Sequence, residues 1–246
     1  MLQILDARTG EPVPAAPARR GLTRIEVHAP GLDPTALRVL LTADLLVRSL
    51  ELGGTPVWTI LAAPRDQPEL RTAATRLAIR PFEDGRDLAS GLGAAQAIHV
   101  MTGDPATAPG EGPVMAVAPV VWAGPASPPA DLLGDPAALR LALLGVRRDD
   151  PVRLDGAALA RAAGQLADWR RAVAGWARRP SRPVPEAVRT RLRTAWEDDL
   201  GLPGVLDVLR DVAGDPELAD GARFETYAYA DRLLALDLVR DIGSPA

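Results

Sequence analysis

An α/β fold, with a parallel sheet and flanking helices in the first half and helices alone in the second, is what this sequence predicts. Three observations carry that expectation. Residues 1–122 alternate short apolar runs rich in β-formers with amphipathic stretches, the pattern of strand–helix–strand units. From residue 135 onward the apolar spacing is helical. Between the halves lies "AGPASPPADLLG", residues 123–134, a Pro-rich linker.

Taken in order, the strand candidates are "RIEVHA" (24–29), "VWTILAA" (57–63), "AIHVMTG" (97–103) and "VMAVAPVVW" (114–122). The first helix spans 34–52. Asp33 can cap it, Pro34 suits its first turn, and Gly53-Gly54 supplies the stop. Leu37, Leu40, Leu41, Leu45 and Val47 recur near helical spacing. "PELRTAATRLA" (68–78) is a second helix and a weaker one lies near 85–93. Residues 103–113 form a Gly- and Pro-rich loop.

In the second half, helices are expected at 135–148, 155–179, 185–200, 203–213 and 223–239. Trp169, Trp176 and Trp196 are expected to be at least partly buried, because an amphipathic helix docks by its apolar face. Arg189, Arg191 and Arg193 alternate in sequence and so spread around their helix, which reads as a solvated surface rather than an RNA contact.

Composition narrows the function classes. The 246 residues suffice for one large domain or two modest ones, and 47% hydrophobic residues supply a core. A formal net charge of −4 argues against broad nucleic-acid binding. No apolar run reaches ~18 residues and no basic-then-apolar leader opens the chain, so the expectation is a cytoplasmic protein without membrane contact. The chain has no Cys, Lys or Asn, and its two histidines are His28 and His99. No thiolate is available to hold zinc or attack a substrate, and any cation at a phosphate must be Arg.

Several segments carry a resemblance. "LQILDARTGEPVPAAP" resembles the opening of class I cysteine-activating ligases, the family of cysteinyl-tRNA synthetase and the mycothiol cysteine ligase. "IEVHAPGLDPTAL" is similar to their YVCG-TPYD-TH stretch, "APRDQPELRTAA" to TDxDDPLLERAA and "AIHVMTGD" to DIHGGGxD. "DLLGDPAALRLALL" and "AWEDDLGLPGVLDVL" are the strongest matches. The resemblance is collinear over most of the chain. It implies a Rossmann-like (HUP-type) sheet followed by an all-α helical bundle, over residues 1–122 and 135–246.

The departures from that pattern are chemical. Where the family has HxGH, whose histidines contact ATP phosphates, this chain runs Thr35-Ala36-Leu37-Arg38. The Cys of YVCG, a zinc ligand there, is Val27, and the Lys-bearing KMSKS loop is reduced to "GPASPP" (124–129). Three such losses together imply that the family's reaction is gone. Zinc is not expected, and no aminoacyl-adenylate with cysteine is expected.

The candidate cleft residues are His28, Thr35, Arg38, Asp66, His99 and Asp104. His99 and Asp104 fall on the His and last Asp of DIHGGGxD, and Asp66 on the middle Asp of TDxDD. Each also has a structural reading: a histidine satisfied by backbone carbonyls, a helix-capping aspartate, an arginine between helices. The resemblance therefore implies a non-catalytic homologue that binds a small ligand or a protein partner, such as a catalytic relative. The alternatives are an ATP-dependent amino-acid ligase with a remodelled site, using Arg38 or Arg65, and a tRNA-binding adaptor. ATP enters as a cofactor on the ligase alternative alone.

Overall fold

The computed structural model describes residues 1–16, 23–83, 96–124 and 132–243. The weaker helix near 85–93 and most of the linker and of "GPASPP" lie outside the described residues. The chain is a mixed α/β protein with a four-stranded parallel sheet and, among the described residues, seven α-helices.

An antiparallel hairpin comes first, β1 (Gln3–Asp6) with β2 (Glu11–Pro14). The sheet proper is built from β3 (Thr23–His28), β4 (Val57–Ala62), β5 (Gln96–Met101) and β6 (Val114–Ala116). Its order is β4-β3-β5-β6, every pair parallel. The chain thus winds from β3 to β4 on one side and returns to β5 and β6 on the other. The order reverses between β3 and β5, and the crevice beyond the carboxyl ends at such a switch point is where open sheets hold ligands.

Helix α1 (Pro34–Leu52) crosses over from β3 to β4 and α2 (Gln67–Arg76) follows β4. Fourteen of the nineteen residues of α1 are buried. A helix apolar nearly all round belongs in the middle of a molecule, and α1 touches β3, β4, β5, α2 and elements of the second half. Ile25, Val27, Leu61, Ile98 and Val100 share one core cluster with its leucines.

The sequence suggested one strand over 114–122, and the structure breaks it in two. Val117 N–H still bonds Met101 O at 2.7 Å, in the main sheet, but Ala118 N–H bonds Arg148 O at 2.8 Å. Pro119 has no N–H to continue the ladder. The chain therefore leaves the sheet after β6 and forms β7 (Val120–Trp122), which pairs in parallel with β8 (Val152–Leu154). This strand corrects the expectation of an all-helical second half. Its signal was short: Val152 and Leu154 are buried and Arg153 between them is exposed, the period of a half-buried strand.

The remaining helices are α3 (Pro136–Leu144), α4 (Gly156–Trp176), α5 (Glu186–Glu197), α6 (Leu202–Gly214) and α7 (Asp220–Leu234). Asp33, Asp135 and Asp155 each accept the N–H three residues on, at 2.7, 3.0 and 2.7 Å, as N-caps should. The last helix was expected at 223–239 and instead ends at Leu234. Ala235 turns left-handed (φ 48°), and the Asp231 carboxylate takes the N–H groups of Leu236 and Leu238 at 2.7 and 2.9 Å, so the chain is caught in a turn. Trp169 and Trp196 are buried and Trp176 is half-buried. Trp169 and Trp176 meet Tyr227 edge-on, with ring centroids 5.9 and 5.1 Å apart.

Buried ion pairs join the halves. Asp44 of α1 accepts from Arg48 Nε at 2.8 Å and Arg140 Nη2 at 2.7 Å, and also takes Arg80 N–H. Arg140 gives its other donors to Leu234 O and Leu77 O, at 2.6 and 2.8 Å. Asp199 pairs with Arg148 Nη2 at 2.7 Å and accepts Leu5 N–H at 2.9 Å, so the N-terminal hairpin is tied to the second half.

Candidate functional site

Alternation along β3 sends Ile25 and Val27 into the core and turns Arg24, Glu26 and His28 toward the other, partly exposed face. The register of β3 with β5 sets Glu26 beside His99 and His28 beside Met101. The two histidines of the sequence, 71 positions apart, thereby become neighbours on one sheet face, with His28 Nε2 3.1 Å from His99 Nδ1.

A third group completes the cluster. Glu26 Oε2 lies 3.4 Å from His99 Nδ1 and 3.8 Å from His28 Nε2. Its other oxygen, Oε1, is 2.7 Å from Arg24 Nε, close enough for charge attraction though not aligned as a hydrogen bond. His99 is 1% exposed, and its Nε2 lies 3.1 Å from Glu111 O. A carbonyl oxygen only accepts, so Nε2 donates to it, and Nδ1 faces the cluster. Burial and the neighbouring His99 lower the His28 pKa below its ordinary value, with Glu26 opposing, so the neutral ring is favoured.

Loop geometry places Glu111 O. Gly112 has φ +115° and a Cβ there would overlap Ala97 O, so the 103–113 loop approaches β5 only because this residue is glycine. Arg8, beyond the β1 strand, clips the same loop through Ala108 O, Gly110 O and Gly112 O at 2.9–3.0 Å. Gly112→Ala is expected to cost about 2–4 kcal/mol from overlap and left-handed strain combined. Its second expected effect is release of the Glu111–His99 bond, seen as a changed His99 imidazole signal in NMR. An unchanged signal and unfolding midpoint would refute this account of the loop.

A cavity of about 560 Å³ opens beside the cluster at the carboxyl edge of the sheet. His28 at the end of β3 and Ala29 and Pro30 just after it line the cavity, with Ala62 at the end of β4, Ala63 just beyond it, and Met101 of β5. It therefore sits at the switch point. Most of its wall is apolar, with polar groups at His28, Gln67 and Thr102. A second cavity, of about 590 Å³, lies near the C-terminal end of α1 among Leu50, Gly53, Trp196 and Tyr229.

The other candidates stand elsewhere. Thr35 Oγ1 accepts Val120 N–H at 3.0 Å and so fastens α1 to β7. Arg38 is 2% exposed and donates to Ala118 O at 3.0 Å, Asp150 O at 2.6 Å and Val146 O at 3.3 Å, and also to Arg147 O. Burial lowers its pKa, with Asp149 and Asp150 opposing. Asp66 holds a left-handed conformation (φ 56°) before α2, and its Oδ2 accepts Leu32 N–H at 2.9 Å rather than capping that helix. Asp104 caps the short turn 105–107 through Ala106 N–H at 2.9 Å and is exposed. The structure brings His28 and His99 together, and it uses the side chains of the other four to fasten loops and helix ends.

Sequence reasoning missed Glu26. The signal was the alternation in "RIEVH", which puts three charged or polar residues on one face of an otherwise apolar strand. Neither models of protein families nor curated proteins match this chain. Among the described residues, no helix is long and apolar enough to cross a membrane.

Proposed function

We propose that this chain is a non-catalytic binding module on a Rossmann-like, HUP-type scaffold with a helical second half, and that it holds a small, largely uncharged ligand in the cavity beside His28. The carrying observation is the position of that cavity at the reversal of strand order, walled by Ala29, Ala62, Ala63 and Met101. Apolar walls with a few placed polar groups suit a small organic molecule.

The start of α1 argues against a nucleotide. A helix N-terminus binds phosphate through free N–H groups. Here the Asp33 carboxylate already takes Ala36 N–H, Pro34 has no N–H to give, and Thr35 Oγ1 is bonded to Val120. A second anion beside Asp33 would meet like charge. Arg38, the cation nearest this turn in sequence, donates to carbonyls.

Thermal unfolding of the full chain with ATP, with each amino acid and with a panel of neutral metabolites tests the reading, together with pyrophosphate exchange. ATP is expected to leave the midpoint unchanged and to support no exchange with any amino acid. A neutral compound is expected to raise the midpoint, and Ala63→Trp, which puts a bulky indole in the cavity wall, is expected to reduce that rise. Stabilisation by ATP, or amino-acid-dependent exchange, would instead favour a remodelled ligase.

A further inference from the structure

We infer that Glu26, His28 and His99 form a divalent metal site of the zinc type, with three protein ligands and one open position. The inference stands apart from the binding-module reading, although His28 borders the same cavity. The three donor atoms, one from each residue, all lie within 4.8 Å of one another.

Their spacing suits a single bound ion, and the donor set of two imidazoles and a carboxylate is that of a zinc site. The donor–donor distances are 3.1 Å for His28 Nε2 to His99 Nδ1, 3.4 Å for His99 Nδ1 to Glu26 Oε2 and 3.8 Å for His28 Nε2 to Glu26 Oε2. A tetrahedral ion with bonds of about 2.0–2.2 Å holds its ligand atoms roughly 3.3–3.6 Å apart. Three facial ligands of an octahedral ion would stand closer, at about 3.0 Å. The observed edges, 3.1–3.8 Å, are centred on the tetrahedral value, with the shortest close to the octahedral one.

Two imidazole nitrogens and a carboxylate oxygen converge here from two adjacent strands. A divalent ion at the centre would take all three as ligands. The surroundings resemble those of a metal site: the Glu111 carbonyl orients His99, and the Arg24 charge lies beside the second oxygen of Glu26. The expectation of no zinc rested on the missing thiolates, and two imidazoles with a carboxylate need none.

Zinc titration of the full chain after chelator treatment tests this, followed by calorimetry and metal analysis, with Co²⁺ as a visible probe. One metal per chain and the intense visible absorption of tetrahedral cobalt are expected. Glu26→Gln and His28→Ala, both at partly exposed positions, are each expected to weaken zinc binding by roughly 100-fold or more, beyond the effect of losing an outer-shell partner. X-ray absorption on the zinc-loaded wild-type chain reads the ligands whether or not a variant folds, and imidazole ligation is expected. The proposal is overturned by a folded wild-type chain that takes up no stoichiometric zinc or cobalt. Binding that survives both substitutions, or a zinc spectrum without imidazole, overturns it equally.

Discussion

Arg140→Met is expected to lower the unfolding free energy by about 3–5 kcal/mol, the cost of taking one partner from a buried ion pair. Arg140 is 1% exposed and burial lowers its pKa, with Asp44 opposing. Its charge is therefore maintained by what surrounds it. Removing the guanidinium leaves the Asp44 carboxylate inside the protein with Arg48 as its remaining charged partner, and frees the carbonyls of Leu77 and Leu234. Adding Asp44→Leu is expected to recover part of the loss, because two apolar groups replace a pair more cheaply than one group replaces half of it. Urea unfolding of the two single variants and the double variant measures the coupling. A single variant as stable as wild type would show that the pair contributes nothing.

Arg38→Ala is expected to lower the unfolding midpoint by roughly 6–20 °C, on a loss of about 3–5 kcal/mol spread over a chain of this size. Arg38 closes four carbonyls, those of Ala118, just before β7, and of Val146, Arg147 and Asp150, in the loop before β8. Leaving a buried acceptor unmade costs about 1–3 kcal/mol, and water reaches only some of them. Arg38→Lys is expected to recover only part of the loss, since one ammonium cannot reproduce the planar fork that reaches both segments. Wild-type thermal stability in Arg38→Ala would refute the clamp.

These two arginines show where the sequence was legible. Periodicity, aspartate caps and Pro at helix starts placed α1 through α6 to within a few residues, because such signals are local. Short apolar runs rich in β-formers did the same for β3, β4 and β5. The handover of the chain at Pro119 was harder, since a Pro between two Val-rich runs reads equally as an edge strand. The α7 stop depended on the Asp231 side chain folding back onto later N–H groups. The site was half legible. His28 and His99 were singled out, but that they touch, and that Glu26 joins them, depends on the register of β3 with β5. Arg38 looked like a cleft residue from its position near the start of α1. Its fate was decided by carbonyls at least 80 positions away in the chain, which no local pattern records.

The shared core has a consequence for how the polypeptide may be divided. One core cluster draws its members from Leu2 through to Leu238, and Asp199 N–H bonds Gln3 O at 3.0 Å, tying the second half to the first strand. Two separately synthesised pieces, 1–124 and 132–246, would each expose the apolar surface that the other covers. Such pieces would behave as the two components of a split reporter: poorly folded alone, and native-like when mixed, to an extent set by their concentrations.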